Sequence, residues 1–250
     1  MNGRLCDTLG ANMKKILLSD NETPFNVMLL KATKPSSIVL FSVGAGGNPE
    51  RHLPLLTSLT EHGCSVVAPY FDRLVSPQPT SDALLLRARQ LHLALEFIAH
   101  PNFPLIGIGH SIGATMLIAL AGGQIWMDVK RKLDIKPLEH LNRLVLLTPA
   151  TGFFHAPGAL DNIRIPIQIW SGTNDVITPL AQSNFLKQQL ENNIPVDMRT
   201  IDGAGHFSFM NTLPPQISDE FPNREAFLIN LTNEIQRFIG SYDKEKLGLT

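Results

Sequence analysis

Most of the short strand-like runs after residue 37 are apolar throughout instead of alternating, and most lead into a longer segment with helical periodicity. A strand with one wet face alternates; a strand apolar throughout is covered on both faces. Ile38–Phe41, Ser65–Tyr70, Leu105–Ile108, Leu144–Leu147, Ile167–Trp170 and Val196–Ile201 form this series, with earlier candidates at Lys14–Ser19 and Asn26–Ala32. Helical patterns occupy Pro49–Glu61, Ala83–Ala99, Ile112–Ala121, Pro179–Glu191 and Arg224–Ile239. Within the second, Leu84, Leu85, Ala88, Leu91, Leu95 and Ile98 make one stripe. Alternation of this kind requires parallel strands joined by right-handed crossovers. The expected fold is α/β, a mostly parallel central sheet with helices on both faces, and chemistry belongs at the carboxyl ends of the strands.

The 250 residues suit one domain spanning 1–250. One segment breaks the rhythm. Gln124–Leu141 is polar and mixed in charge, and reads as a small lid or a surface insertion. Its length favours the insertion over a separate domain.

Composition excludes several functions. With 21 basic and 22 acidic residues the net charge is −1, which gives nucleic acid no basic surface. The short run Lys130-Arg131-Lys132 reads as a solvated face. No stretch approaches the ~18 apolar residues of a transmembrane segment, and Ile16-Leu17-Leu18 is too short for a secretory core. Cys6 and Cys64 lack zinc-ligand spacing, and although two cysteines can pair, nothing in the sequence suggests a disulfide framework. His92, Glu96 and His100 share a helix face at metal-like spacing, but opposite the apolar stripe, where solvated side chains are expected. No metal is expected, and the compartment expected is cytoplasmic. Oligomeric state is not readable from the sequence.

The chemistry concentrates at Gly109-His110-Ser111-Ile112-Gly113. A strand runs into this pentapeptide and a helix leaves it with no intervening loop. Serine at such a turn takes a strained backbone conformation that lifts its Oγ off the sheet. Side chains at 109 and 113 would strike the neighbouring strand or helix. This is the G-x-S-x-G nucleophile elbow in its strand-turn-helix context. A serine hydroxyl needs a base, and the base needs an orienting group. In this architecture they follow in the order acid, then histidine. Asp175 lies in the loop after the strand Ile167–Trp170, and His206 in the loop after Val196–Ile201. His155 precedes Asp175 and does not fit the order.

Acyl transfer also needs donors for an oxyanion, each worth about 2.7–4 kcal/mol of transition-state stabilisation. The Ile112 N–H at the start of the helix supplies one. The other is assigned to Ala45, with Gly46 as fallback, in the loop Ser42-Val43-Gly44-Ala45-Gly46-Gly47. That loop is no dinucleotide site. Gly44-x-Gly46 would need glycine at Pro49, and Gly107-x-Gly109 would need it at Ile112. Phe153, Phe154, Phe207 and Phe209 are candidates for the substrate pocket.

The sequence resembles the α/β-hydrolases, and within them the predicted dienelactone hydrolases related to platelet-activating-factor acetylhydrolases. GHSIGATMLIALAGG is similar to that group's elbow and helix, IPIQIWSGTNDVITP to its acid loop, IDGAGHFSFM to its histidine loop and NREAFLINLTNEIQRFI to its closing helix. Two departures stand out. Val43-Gly44 replaces a His-Gly pair, and Asn211-Thr212-Leu213 lacks the cysteine often found there. The resemblance implies an α/β-hydrolase fold with Ser111 as nucleophile, Asp175 as acid and His206 as base. It also implies a small or medium ester substrate and no cofactor. A thioesterase or lactonase with the same triad is the alternative, and a non-catalytic binding protein on the hydrolase fold is the reading from another class.

Overall fold

A computed structural model describes residues 4–8, 13–21, 23–76, 78–98 and 103–246, with side chains described from residue 13 to residue 240 of that set. The strands are β1 (Arg4–Thr8), β2 (Met13–Asp20), β3 (Thr23–Leu30), β4 (Ser37–Ser42), β5 (Cys64–Pro69), β6 (Leu105–His110), β7 (Trp126–Asp128), β8 (Arg131–Lys132), β9 (Leu141–Leu147), β10 (Ile167–Gly172) and β11 (Val196–Ile201). The helices are α1 (Leu53–Glu61), α2 (Ser81–Ile98), α3 (Ile112–Leu120), α4 (Leu180–Leu190) and α5 (Arg224–Lys246). Pro49–His52 is a short 3₁₀ turn ahead of α1, capped by the Asn48 side chain accepting from Glu50 N–H.

Among the described residues nine strands form one sheet in the order β1-β2-β3-β5-β4-β6-β9-β10-β11. From β5 to β11 every neighbouring pair is parallel, whereas β1, β2 and β3 form an antiparallel edge. The split has a sequence origin. β2 is buried at only three of its eight positions, while β4, β5, β6 and β10 are buried at every position. A strand wet on one face suits an antiparallel edge, and one dry on both suits the parallel centre.

Chain order reverses beside β4. The crossover through α1 leads one way to β5, and the crossover through α2 returns past β4 to β6. Right-handed connections therefore place α1 and α2 on opposite faces. α1 packs with α5, and α2 packs with α3. The crevice at this switch point, between the carboxyl ends of β4 and β6, is where such sheets bind ligands. α3 is buried at all nine positions, which explains why its sequence is apolar all round and not amphipathic.

The 124–141 segment carries the small antiparallel hairpin β7–β8. Backbone bonds tie it to the body, Gln124 N–H to Ala159 and Leu138 N–H to Leu120. His92 Nε2 lies 2.8 Å from the Lys136 carbonyl, while its companion His100 lies outside the described residues. Among the described residues no helix is long and apolar enough to cross a membrane, and no cluster of three or more His, Cys, Asp or Glu is placed to hold a metal. Cys64 is buried in β5, and the side chain of Cys6 lies outside the described residues.

Candidate active site

Ser111 sits between β6 and α3 with φ 57° and ψ −125°. That is a left-handed conformation few non-glycine residues adopt, costing about 1–3 kcal/mol. Its surroundings enforce it. A Cβ on Gly113 would lie 2.0 Å from the Ser42 carbonyl oxygen, and one on Gly109 would lie 2.7 Å from Ala114 N. The start of α3 is thus pressed onto the end of β4, as the flanking glycines predict. The Ser111 N–H is tied to the Leu147 carbonyl at the end of β9 (2.9 Å).

Asp175 and His206 come from the loops after β10 and β11, and these loops are laced together. Asn174 N–H bonds the Ala204 carbonyl, and Thr173 N–H bonds the Ile201 carbonyl. Gly172 permits the approach, since a Cβ there would fall 2.0 Å from the Ala204 oxygen. Asp175 is held at four points. Its Oδ1 accepts from the N–H groups of Ile177 (2.9 Å) and Thr178 (2.8 Å). Its Oδ2 accepts from Thr178 Oγ1 (2.7 Å) and from His206 Nδ1 (2.9 Å). Burial alone raises the Asp175 carboxyl, but the bond and charge of His206 and the two bonds from Thr178 outweigh it, so the net shift is downward. An ionised carboxylate only accepts, so the proton of the shared bond rides on Nδ1 and leaves Nε2 as the basic nitrogen.

Backbone ties bring this pair to Ser111. His110 Nε2 donates to the His206 carbonyl (3.1 Å), and Thr178 Oγ1 lies 3.1 Å from the Thr148 carbonyl, one residue past the one holding Ser111. Ser111, Asp175 and His206 are 8%, 4% and 6% exposed, so all three are buried. Ser111 Oγ itself has no hydrogen-bond partner among the described residues. Such contacts often tighten only when substrate is bound.

Of the two expected donors, Ile112 follows the serine in the chain and Ala45 lies on the loop that meets it at Gly44. Ile112 opens α3, where no intrahelical carbonyl reaches its N–H. Ala45 and Gly46 are exposed at the tip of the glycine loop, and their N–H groups have no protein acceptor among the described residues. A Cβ on the neighbouring Gly44 would stand 3.4 Å from Ser111 Cβ, which puts the loop against the serine.

The aromatic candidates separate into two groups. Phe207 meets His206 edge-on with ring centroids 5.3 Å apart, and Phe153 is half-buried. Phe154 and Phe209 are sealed in the hydrophobic core, Phe209 edge-on to Phe227, and present no surface to a pocket.

Several residues at the site escape a reading of sequence alone. Thr178 caps the Asp175–His206 pair, and Arg87 reaches the glycine loop from α2. Arg87 leaves a trace, a charged residue three positions after Leu84 within an apolar stripe. Behind His206 stand two more buried rings, His110 (centroids 4.9 Å) and then His52 (5.3 Å). Among the described residues neither ring nitrogen of His52 has a hydrogen-bond partner.

Burial, helped by the charge of Arg51, pulls the His52 imidazole down to about 3. In the unfolded chain it titrates near 6.5. Between those values the unfolded state binds a proton that the folded state refuses. Stability is therefore full above pH 6.5 and drains as the pH falls towards 3. The complete loss is on the order of 5 kcal/mol. His52→Phe keeps a ring against Phe41 and removes two unpartnered nitrogens, a change that is nearly neutral or stabilising at pH 7. Its melting temperature should fall less than that of the unaltered protein between pH 6.5 and 4. Parallel melting curves across that range would refute the assignment.

No protein-family profile matches the sequence, and no curated protein matches it at significant similarity. Solved structures do match. A thermophilic esterase from Thermogutta terrifontis, in its propionate-bound form, aligns with TM-score 0.65 and 14% identity over 96% of each chain. An alpha-beta serine hydrolase homologue from Coxiella burnetii gives 0.64 and 17% over 92% of this chain and 99% of that one. A dienelactone hydrolase from Anabaena variabilis gives 0.64 and 18% over 90% and 95%. The chain has the α/β-hydrolase fold, with a mostly parallel central sheet.

Proposed function

We propose that this protein is a serine carboxylic-ester hydrolase working through an acyl-enzyme, on a small or medium ester. The observation that carries the reading is the buried 2.9 Å bond between His206 Nδ1 and Asp175 Oδ2, with the His206 ring packed on that of His110, the residue before the serine at φ 57°. Asp175 fixes the tautomer and orientation of His206. His206 Nε2 takes the Ser111 proton as Oγ attacks the ester carbonyl. The N–H groups of Ile112 and Ala45 receive the oxyanion, and His206 then protonates the departing alkoxide. Water repeats the cycle on the acyl-enzyme and releases the acid. Each step uses groups of this chain and requires no metal or organic cofactor. The similarity in fold to the Thermogutta terrifontis esterase supports the same reading.

The test is a fluorophosphonate probe followed by peptide mapping. Stoichiometric labelling at Ser111, blocked by a competing ester, is the expected result. Labelling at another serine would overturn the assignment, and no labelling would favour a non-catalytic binding protein. Turnover of p-nitrophenyl esters, acyl thioesters and lactones, measured side by side, assigns the acyl class. Esters should be turned over with the highest kcat/KM.

A further inference from the structure

Arg87 is 2% exposed and, among the described residues, has no carboxylate within ion-pair distance. Its partners are backbone carbonyls. Nη1 reaches those of Gly44 (3.1 Å) and Val43 (3.4 Å), and Nη2 those of Asp72 (2.9 Å) and Ala45 (3.4 Å). The guanidinium also lies over the Phe71 ring, 4.6 Å from its centroid. Three of the four carbonyls belong to consecutive residues of the glycine loop. Residues 44–47 have no side chain larger than a methyl with which to hold their own backbone. Further bonds to the loop come from Leu74 N–H to the Ala45 carbonyl and Phe71 N–H to the Gly47 carbonyl (2.9 Å each).

A trans peptide points its C=O and N–H in opposite directions. Drawing the carbonyls of Val43, Gly44 and Ala45 back to one guanidinium turns the N–H groups of Gly44, Ala45 and Gly46 the other way. Gly44 abuts Ser111. A buried charge is expensive, and all the direct hydrogen-bond partners of this one are backbone carbonyls, three of them on the glycine loop. Burial lowers the Arg87 guanidinium, opposed by the charge of Asp72, to about 10, so it stays cationic at neutral pH.

We propose that Arg87 is a positioning residue of the oxyanion-binding loop: its buried guanidinium aims the loop's amides at Ser111 and sets a positive charge behind them. This rests on the ester-hydrolase reading. Arg87 touches neither substrate nor Ser111. It acts through the loop, on an anion that exists only as the tetrahedral intermediate forms, so it should affect kcat and not KM.

The experiment compares Arg87→Met, Arg87→Gln and Arg87→Lys with the unaltered protein. It measures kcat and KM on a p-nitrophenyl ester per probe-titrated site, together with the inhibition constant of a boronic acid, which binds as a tetrahedral anion. Met preserves length and packing over Phe71, Gln keeps two donors without charge, and Lys keeps charge without the fork. The expected result is a kcat loss on the order of 10²-fold for Met. Gln should lose less and Lys least, with KM unchanged and boronate affinity falling in step with kcat. A kcat per titrated site within about twofold of the original in the Met or Gln variant would overturn the proposal, whatever the melting temperature does. Should the Met variant fail to fold, Gln and Lys decide on the same criteria. If the unaltered protein neither labels nor turns over esters, the ester-hydrolase reading itself fails, and the role of Arg87 falls with it.

Discussion

Ser111→Ala should abolish ester turnover, a loss on the order of 10⁶-fold in kcat, while the protein folds as before. The size follows from the unit in which the hydroxyl acts. With Oγ gone, no covalent intermediate forms, and His206 and the amide donors retain only weak assistance to a water attack. The small effect on stability follows from the local geometry. Oγ has no hydrogen-bond partner among the described residues, so its removal strands no buried polar group. Ser111→Gly is the more telling companion. At φ 57° and ψ −125° a residue with a Cβ is strained, and glycine is not. That variant should be as inactive as alanine yet more stable by roughly 1 kcal/mol. Greater stability in the dead enzyme would show the turn is kept strained for its chemistry. Full activity in either variant would remove the mechanism, and a large drop in melting temperature for alanine would show that Oγ does structural duty.

The parallel centre of the sheet was legible because dryness on both faces leaves a direct mark on sequence, whereas the edge strand β11 (VDMRTI) is buried at no position. β4 and β6 are apolar throughout and fall where expected, extended by a residue or two to Ser42 and His110. The antiparallel edge was less legible. β1 (RLCDT) and the hairpin β7–β8 are short and mostly polar, and they exist only through pairing partners that periodicity does not report. The proline at residue 49 marks a 3₁₀ turn, with α1 proper starting only at Leu53. At the site, residues set by local backbone demands could be read directly. The glycines at 109 and 113 are forced by contacts under 3 Å, and that pressure is visible in the pentapeptide. Arg87, Thr178 and His52 could not be read with confidence of role, because each acts through a partner far along the chain or through burial. A threonine three residues after an aspartate reads as turn chemistry. Only the folded loops reveal that its hydroxyl also meets His206 at 3.0 Å.

That hydroxyl makes Asp175→Asn a sharper experiment than the substitution usually is. An asparagine oxygen can keep both backbone bonds of Oδ1, from Ile177 and Thr178, so the loop should hold its shape. The amide nitrogen then replaces Oδ2, and a donor faces His206 Nδ1 where an acceptor stood. The imidazole must answer by moving its proton to Nε2, and a protonated Nε2 cannot accept one from Ser111. Thr178 Oγ1, no longer offered an acceptor at 2.7 Å, can turn its hydrogen to the Thr148 carbonyl at 3.1 Å, so the change leaves no orphan there. The expected outcome is a loss on the order of 10⁴-fold in kcat with little change in melting temperature. Thr178→Val removes one of four bonds to the carboxylate and leaves the tautomer intact, so its loss should be about tenfold. The ratio between the two separates tautomer control from simple bracing. If Asp175→Asn kept more than about a tenth of the activity, the carboxylate would be a loop anchor only, and the base at Ser111 would have to be oriented by some other group.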